Sequence, residues 1–230
     1  MKAVMISIQP QWCEKIANGR KTIEVRKTIP KLQTPFKCYI YCTNAKPYIA
    51  WADVFRGNWE TEISTIHGYS RKSAEEMFDI FNGSVMGEFV CDYIFPIDVD
   101  LNIHDELPGS PMETWLTWDD APEQYAEGAD IEKATCLSMK DIDAYIGSGS
   151  GCFCWHISDL KIYDNPKRIC EFEKFTEHGI RPCETGFECN ELYYDEQEHD
   201  IACRIDYSGD ACPFVKMQRP PQSWCYVEEL

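Results

Sequence analysis

The sequence NGRKTIEVRK, at residues 18–27, decides how this chain is organised, because it joins a short helix to a strand. Ile23 and Val25 alternate with polar residues, which predicts a strand with one apolar face and one polar face. Glu24 and Arg26 then lie two residues apart on the polar face. The pattern fits either a functional site or a solvated strand face that carries a weak surface ion pair.

Local patterns predict the elements on both sides of this stretch. Pro10 suits the first turn of a helix that ends before Gly19, a residue suited to a left-handed C-terminal cap. Ser73 and Ser138 can cap two later helices, the second with Asp141 in capping-box position. The later helices are predicted over residues 73–81 and 139–146. Strands are predicted over residues 2–8, 22–26, 36–42, 85–95, 153–163 and 223–227.

Length and composition bound the class of protein. The chain has 230 residues, of which 44% are hydrophobic and 13% aromatic, and this composition supports a packed core. No apolar run approaches the roughly 18–20 residues that span a bilayer. The N-terminus shows no signal peptide. We therefore expect a cytoplasmic protein without a membrane partner.

The net charge of −17 conceals an asymmetry along the chain. Residues 1–42 hold eight Lys or Arg and two acidic residues, a net of +6, so the remaining 188 residues carry −23. An acidic protein binds polyanions poorly overall, but a local basic patch can admit one phosphate or a short strand. Alternatively, the acidic surface serves only to keep the protein soluble and monomeric.

Several segments together carry a resemblance to a known family. The run GRKTIEVR at residues 19–26, preceded by SIQPQW at residues 7–12, resembles the signature of the ASCH domain. Three further segments fit this resemblance: VMGEFVCD at 85–92, CWHISDLKIYD at 154–164 and PPQSWCYVEE at 220–229. The chain is similar to the ASCH proteins of phages and prophages.

The resemblance implies an α+β fold, a PUA-like mixed β-barrel with flanking short helices and an acidic, cysteine-containing insertion. It implies one domain over residues 1–230, with insertions at 43–83 and 170–220.

The resemblance also implies a cleft between the first helix and the barrel that receives RNA or a modified nucleoside. In this hypothesis Lys21 and Arg26 meet phosphate or base acceptors, and Glu24 accepts from a base amino group. A tryptophan that stacks on a base contributes about 1–3 kcal/mol, although Trp12 and Trp155 also fit core packing. The candidate binding residues are Trp12, Lys21, Thr22, Glu24, Arg26, Lys27 and Trp155. The oligomeric state stays open.

A hydrolase is the alternative interpretation of the same motif. One branch of the family deacetylates acetylated cytidine through a Lys-Thr-Ile-Thr motif, in which the second Thr is the nucleophile. Lys21, Thr22 and Ile23 match that motif, whereas Glu24 stands at the nucleophile position. The alternative is therefore an amidohydrolase on acylated nucleosides, or a ribonuclease, with Lys21 and Glu24 as catalytic residues.

The acidic part of the chain, from residue 98 onward, allows two further hypotheses. Cys183, Cys189, Cys203 and Cys212 could hold a structural zinc ion, although no CxxC pair is present and free thiols are the alternative. We expect no other cofactor. The acidic runs at residues 98–143 and 171–210 are either solvated loops or a surface that binds a basic protein partner, a third class of function.

Overall fold

The computed structural model describes residues 2–55, 57, 59–102, 113–175, 192–195, 200–203 and 214–230. Its helices are α1 (Pro10–Ala17), α2 (Arg71–Met77), α3 (Gly128–Thr135) and α4 (Met139–Ile146). Its strands are β1 (Lys2–Ile8), β2 (Ile23–Arg26), β3 (Phe36–Cys42), β4 (Tyr48–Phe55), β5 (Trp59–Ile66), β6 (Ser84–Cys91), β7 (Ile94–Asn102), β8 (Glu113–Thr117), β9 (Gly151–His156), β10 (Ser158–Lys167), β11 (Glu173–Phe175), β12 (Leu192–Asp195), β13 (Asp200–Cys203), β14 (Phe214–Lys216) and β15 (Trp224–Glu228). Short 3₁₀ turns cover Glu123–Tyr125 and Ile169–Glu171. None of the helices in these ranges has the length and apolarity needed to cross a membrane.

Two larger sheets and two hairpins make up a mixed α+β fold. The seven-stranded sheet has the order β10-β6-β3-β1-β15-β11-β14, and the four-stranded sheet has the order β2-β9-β7-β8. The pairing of β1 with β3 is parallel, and the other pairings in both sheets are antiparallel. The hairpins are β4–β5 and β12–β13. Each sheet keeps two edge strands, so the described strands do not form a closed barrel.

The two faces of the four-stranded sheet line different cores. Trp155 and the partly buried Phe153 of β9 join the core formed by β1 and β3 of the larger sheet. Ile23 and Val25 of β2 face the other way, into a second core with α3 and α4. Because side chains alternate along a strand, Glu24 lies on the face that looks toward the larger sheet. This arrangement places the polar face of β2 inside the protein.

Helix α1 fixes the entry of the chain into β2. Pro10 occupies the first turn, and Gly19 follows the helix with φ of +69°. The backbone N–H groups of Gly19 and Arg20 donate to the carbonyls of Ile16 and Lys15 at 2.9 Å each. These two bonds form a Schellman motif, in which a left-handed glycine satisfies the last helical carbonyls. The predicted helix end is therefore confirmed.

The later helices differ in how well local signals predicted them. Helix α4 covers the predicted residues, and Ser138 and Asp141 form the predicted capping box. Helix α2 starts earlier than predicted, because the side chain of Ser70, not that of Ser73, accepts the capping hydrogen bond. It also ends at Met77, four residues before the predicted end at residue 81. Helix α3 lies in the acidic segment and was not predicted.

Two of the strand predictions are wrong in the same way. Each predicted strand corresponds to two observed strands, and these belong to different sheets. Residues 85–95 divide into β6 of the seven-stranded sheet and β7 of the four-stranded sheet, and residues 153–163 divide likewise into β9 and β10. His156 holds the two crossings together: its Nδ1 lies 2.6 Å from Asp92 Oδ1, and its ring stacks on Tyr93 at 4.4 Å. The chain therefore passes between the sheets at one corner.

Removing the Ser138 cap tests how much α4 depends on its N-terminus. We expect Ser138→Ala to destabilise the protein by about 1 kcal/mol, as measured by urea unfolding, because the Asp141 N–H loses its acceptor. The hydrogen bonds that Ser138 donates to the Asp141 carboxylate also lower the pKa of Asp141. The stability that these bonds contribute is present near neutral pH and is lost as the pH falls through that lowered pKa. Lys140→Ala, an exposed change in the same helix, is the control; an equal loss in both variants would contradict the prediction.

Candidate functional site

The backbone of Thr22 holds the N-terminal end of β2 in place. The Thr22 N–H donates to the carbonyl of Ala134 in α3 at 2.9 Å, and the Thr22 carbonyl accepts from the Ile157 N–H at 2.9 Å. Within the strand, Glu24 lies opposite Trp155 of β9. Directly opposed residues of antiparallel strands share a face. Glu24, Arg26 and Trp155 therefore face the seven-stranded sheet together.

Lys21, Glu24 and Arg26 form a buried ionic cluster, which we call the ion triad. Lys21 Nζ lies 3.3 Å from Glu24 Oε2, and Arg26 NH2 lies 3.0 Å from Glu24 Oε1. The side chains are 2%, 9% and 11% exposed, in the order Lys21, Glu24, Arg26. The interpretation of this face as solvated, with a surface ion pair, is therefore wrong. What little exposure remains is on Glu24 and Arg26.

Groups from distant parts of the chain complete the triad. Lys21 Nζ donates to the carbonyl of Thr135 at 2.8 Å. Arg26 NH2 donates to the carbonyl of Ser7 at 2.7 Å, and Arg26 NH1 donates to Ser223 Oγ at 3.3 Å. The triad thus ties β2 to α3, to β1 and to the segment before β15. Sequence patterns gave no indication of these three partners, since nothing local links them to β2.

Two buried N–H donors at the triad lack a hydrogen-bond partner among the described protein groups. They are Arg26 Nε and Trp155 Nε1. Buried donors are nearly always paired, and leaving one unpaired costs about 1–3 kcal/mol. Both belong to the same face of the four-stranded sheet: Arg26 is two residues from Glu24 along β2, and Trp155 lies directly opposite Glu24 on β9. Buried donors without a protein partner call for a partner from outside the chain, which is a water, an ion or a ligand.

The charges themselves also point to function more than to stability. Taking ions out of water is costly, and a buried ion pair is often no more stabilising than apolar residues of similar size. The triad has an excess of one positive charge in its formal count, two cations to one carboxylate. A chain that is acidic overall thus keeps a buried cationic centre at this position, which suits a ligand with acceptor or anionic groups.

Helix α1 contributes an aromatic ring at one end of the triad. The side chain of Trp12 is half-buried against the core of the seven-stranded sheet. Lys15 Nζ and Lys21 Nζ lie 4.7 Å and 5.4 Å from the centre of its ring. These distances fit cation–π contacts. The predicted grouping of Trp12 with Lys21 is present in the structure.

Helix α4 contributes a second ring, from Tyr145, that no pattern in the sequence indicates. Lys27 Nζ lies 5.3 Å from the centre of this ring and 3.3 Å from the Ile146 carbonyl, to which it donates. Burial raises the pKa of Tyr145 above its usual value, the Arg26 guanidinium opposes this rise, and the Glu24 carboxylate adds to it. Tyr145 therefore lies within electrostatic reach of the triad.

The remaining predicted site residues have different surroundings. Trp155 is fully buried, with its ring edge-on to Phe36 at 5.9 Å, so the core-packing interpretation describes its ring better than base stacking does. Thr22 precedes β2 and is fixed through its backbone. Of the four predicted zinc ligands, Cys183, Cys189 and Cys212 lie outside the described residues, and Cys203 is described only as part of β13.

Comparison with known proteins gives one group of similar structures. No protein-family model matches the sequence, and no curated protein matches it. The similar solved structures are of the ASCH protein from Zymomonas mobilis, which has 14% sequence identity and a TM-score of 0.40 over 73% of both chains. A tyrosine-to-phenylalanine variant of that protein gives the same identity and TM-score, over 74% of this chain and 77% of that one. At this level of similarity, function has to be argued from the site itself.

Proposed function

We propose that the ion triad and the rings beside it bind RNA or a modified nucleoside. The observation that carries this proposal is the pair of unpaired donors, Arg26 Nε and Trp155 Nε1, on the same sheet face as Glu24. Nucleobases and phosphates are rich in acceptors that such donors can meet. The Trp12 ring, with two lysines close by, is the candidate stacking surface.

The triad keeps bonding capacity for a ligand after its internal contacts are counted. An ammonium group has three donors, and Lys21 uses two of them, on Thr135 and Glu24. A carboxylate has about four acceptor positions, and Glu24 uses two of them. A base that offers both an acceptor and an amino group would therefore find a partner for each. Binding of a nucleobase by the triad requires such a free donor and a free acceptor.

The finer description of the fold is part of the same proposal. We propose a PUA-like arrangement in which the two larger sheets are the halves of an opened barrel around one shared core. The corner at Asp92 and His156, where two chain segments pass from one sheet to the other, supports it. Residues 43–83 and 170–220 would be insertions into a single domain over residues 1–230. The cytoplasmic location, the phage origin and the zinc site stay predictions.

The experiment measures binding of short single-stranded RNAs and of a panel of free modified nucleosides, before and after a Trp155→Phe substitution. Phenylalanine keeps a ring in the core and removes the N–H group. We expect the variant to bind about three- to tenfold more weakly, the loss typical of one hydrogen bond. Trp224→Phe is the matched control, because the Trp224 indole N–H already donates to Thr28 Oγ1 at 3.0 Å.

The outcomes separate the three classes of function. Equal binding by wild type and Trp155→Phe would contradict the role of this donor. Mass spectrometry of each nucleoside after incubation tests the alternative hydrolase, since conversion of an acylated nucleoside would make Lys21 and Glu24 catalytic candidates. Absence of any binding would favour the third hypothesis, a basic protein partner held by the acidic surface, whose complex weakens as salt rises.

A further inference from the structure

The triad has an aromatic ring and a lysine at each of its two ends. Trp12, with Lys15, lies at the end formed by Lys21. Tyr145, with Lys27, lies at the end formed by Arg26, the residue that directly precedes Lys27 in the chain. The two rings come from different helices, α1 and α4, and each is near a different cation of the triad, Trp12 near Lys21 and Tyr145 near Arg26.

Tyr145 is held in position rather than free on the surface of α4. The Lys27 ammonium group donates to the carbonyl of Ile146, the last residue of α4. The same ammonium group lies over the Tyr145 ring. The Tyr145 side chain nevertheless stays 40% exposed. A ring that has a cation over one face and is still 40% exposed has surface left for stacking.

We infer that Tyr145 and Lys27 form a second nucleotide position, so that the ligand is a single strand of at least two nucleotides. This inference rests on the proposed function. One base would stack on Trp12 and the next would stack on Tyr145. Lys27, whose side chain is exposed, would meet the phosphate that joins them.

A free nucleoside would use only part of this surface. It has one base and no phosphate, so it could occupy one ring and leave Lys27 without an anionic partner. A strand with a phosphate between two bases uses both rings and the cations near them. The arrangement therefore favours an oligonucleotide over a nucleoside as the ligand.

The experiment compares the affinities of uridine, uridine monophosphate, the dinucleotide UpU and a tetranucleotide of uridine for the full chain. We expect UpU to bind wild-type protein about tenfold or more tightly than the mononucleotide, since one further stacked base contributes that much. Tyr145→Ala should reduce this gain, the ratio of the UpU affinity to the mononucleotide affinity, to near one. Tyr145→Phe, which keeps the ring, should retain it.

Two controls exclude non-specific effects. Trp59→Ala removes a ring that is 73% exposed on β5, and Lys140→Ala removes an exposed lysine of α4; neither should change any affinity. If UpU binds no more tightly than the mononucleotide, or if Tyr145→Ala keeps the gain, the second position is refuted while the proposed function stands. If wild-type protein binds none of the four ligands, the proposed function itself has failed, and this inference fails with it.

Discussion

Replacing Glu24 by alanine is expected to destabilise the protein by about 3–5 kcal/mol. The substitution leaves the charges of Lys21 and Arg26 buried without the carboxylate that lies 3.3 Å and 3.0 Å from them. An uncompensated buried charge is among the costliest single changes in a folded protein. Urea or guanidinium unfolding of wild type and variant, at one pH and one salt concentration, measures the difference.

The control for Glu24→Ala is a carboxylate in an exposed ion pair. Glu75 of α2 lies 2.7 Å from Arg71, and the two side chains are 46% and 37% exposed. Exposed pairs contribute about 0–1 kcal/mol, because water solvates both groups when the pair is broken. Glu75→Ala should therefore cost less than about 1 kcal/mol. Similar losses in the two variants would show that the ion triad is solvated after all.

The parts of the fold that local chemistry determines could be predicted from the sequence. The end of α1 at Gly19 and the capping box of α4 depend on residues within five positions of one another, so the sequence contains all the necessary information. The strands β1 and β3 were predicted at their observed bounds, because each is a dense run of β-forming residues flanked by turns or polar residues.

The crossing of the chain between sheets could not be predicted in this way. The alternation and the β-forming residues continue through Asp92 and Tyr93, and again through Ile157, so two successive strands resemble one long strand. What divides them is tertiary: the contact of His156 with Asp92 and with Tyr93 at the corner. A periodic pattern records which residues are apolar, and it does not record which sheet they join.

The site shows the same division between local and tertiary information. Period-two alternation placed Glu24 and Arg26 on one face, and both do lie there. Alternation could not predict that this face is buried, since charged residues on a solvated strand give the same pattern. Tyr145 and Ser7 reach the triad only through packing of α4 and β1, so their roles became visible in the structure alone.

Replacing the whole triad with apolar residues should separate its structural role from its functional one. In the triple variant Lys21→Met, Glu24→Leu, Arg26→Met, no buried charge is left unpaired. Well-packed apolar residues often substitute for a buried ion cluster without loss of stability. The carbonyls of Thr135 and Ser7 do lose their donors, so we expect the variant to fall within about 2 kcal/mol of wild type, well above Glu24→Ala. Urea or guanidinium unfolding of wild type, Glu24→Ala and the triple variant measures how much stability the triple variant recovers.

The triple variant should lose RNA binding although it keeps most of its stability. The triple substitution removes the Arg26 donors, the Lys21 ammonium group and the Glu24 acceptor together, so we expect affinity for short single-stranded RNA to fall by more than tenfold although the fold is retained. A variant that folds and still binds like wild type would show that the triad is a purely structural feature. A variant as unstable as Glu24→Ala would instead show that packing around these side chains matters more than their charge. Recovered stability together with lost binding is the result that only a ligand-binding triad explains, because a structural cluster replaced without harm leaves no reason for affinity to change.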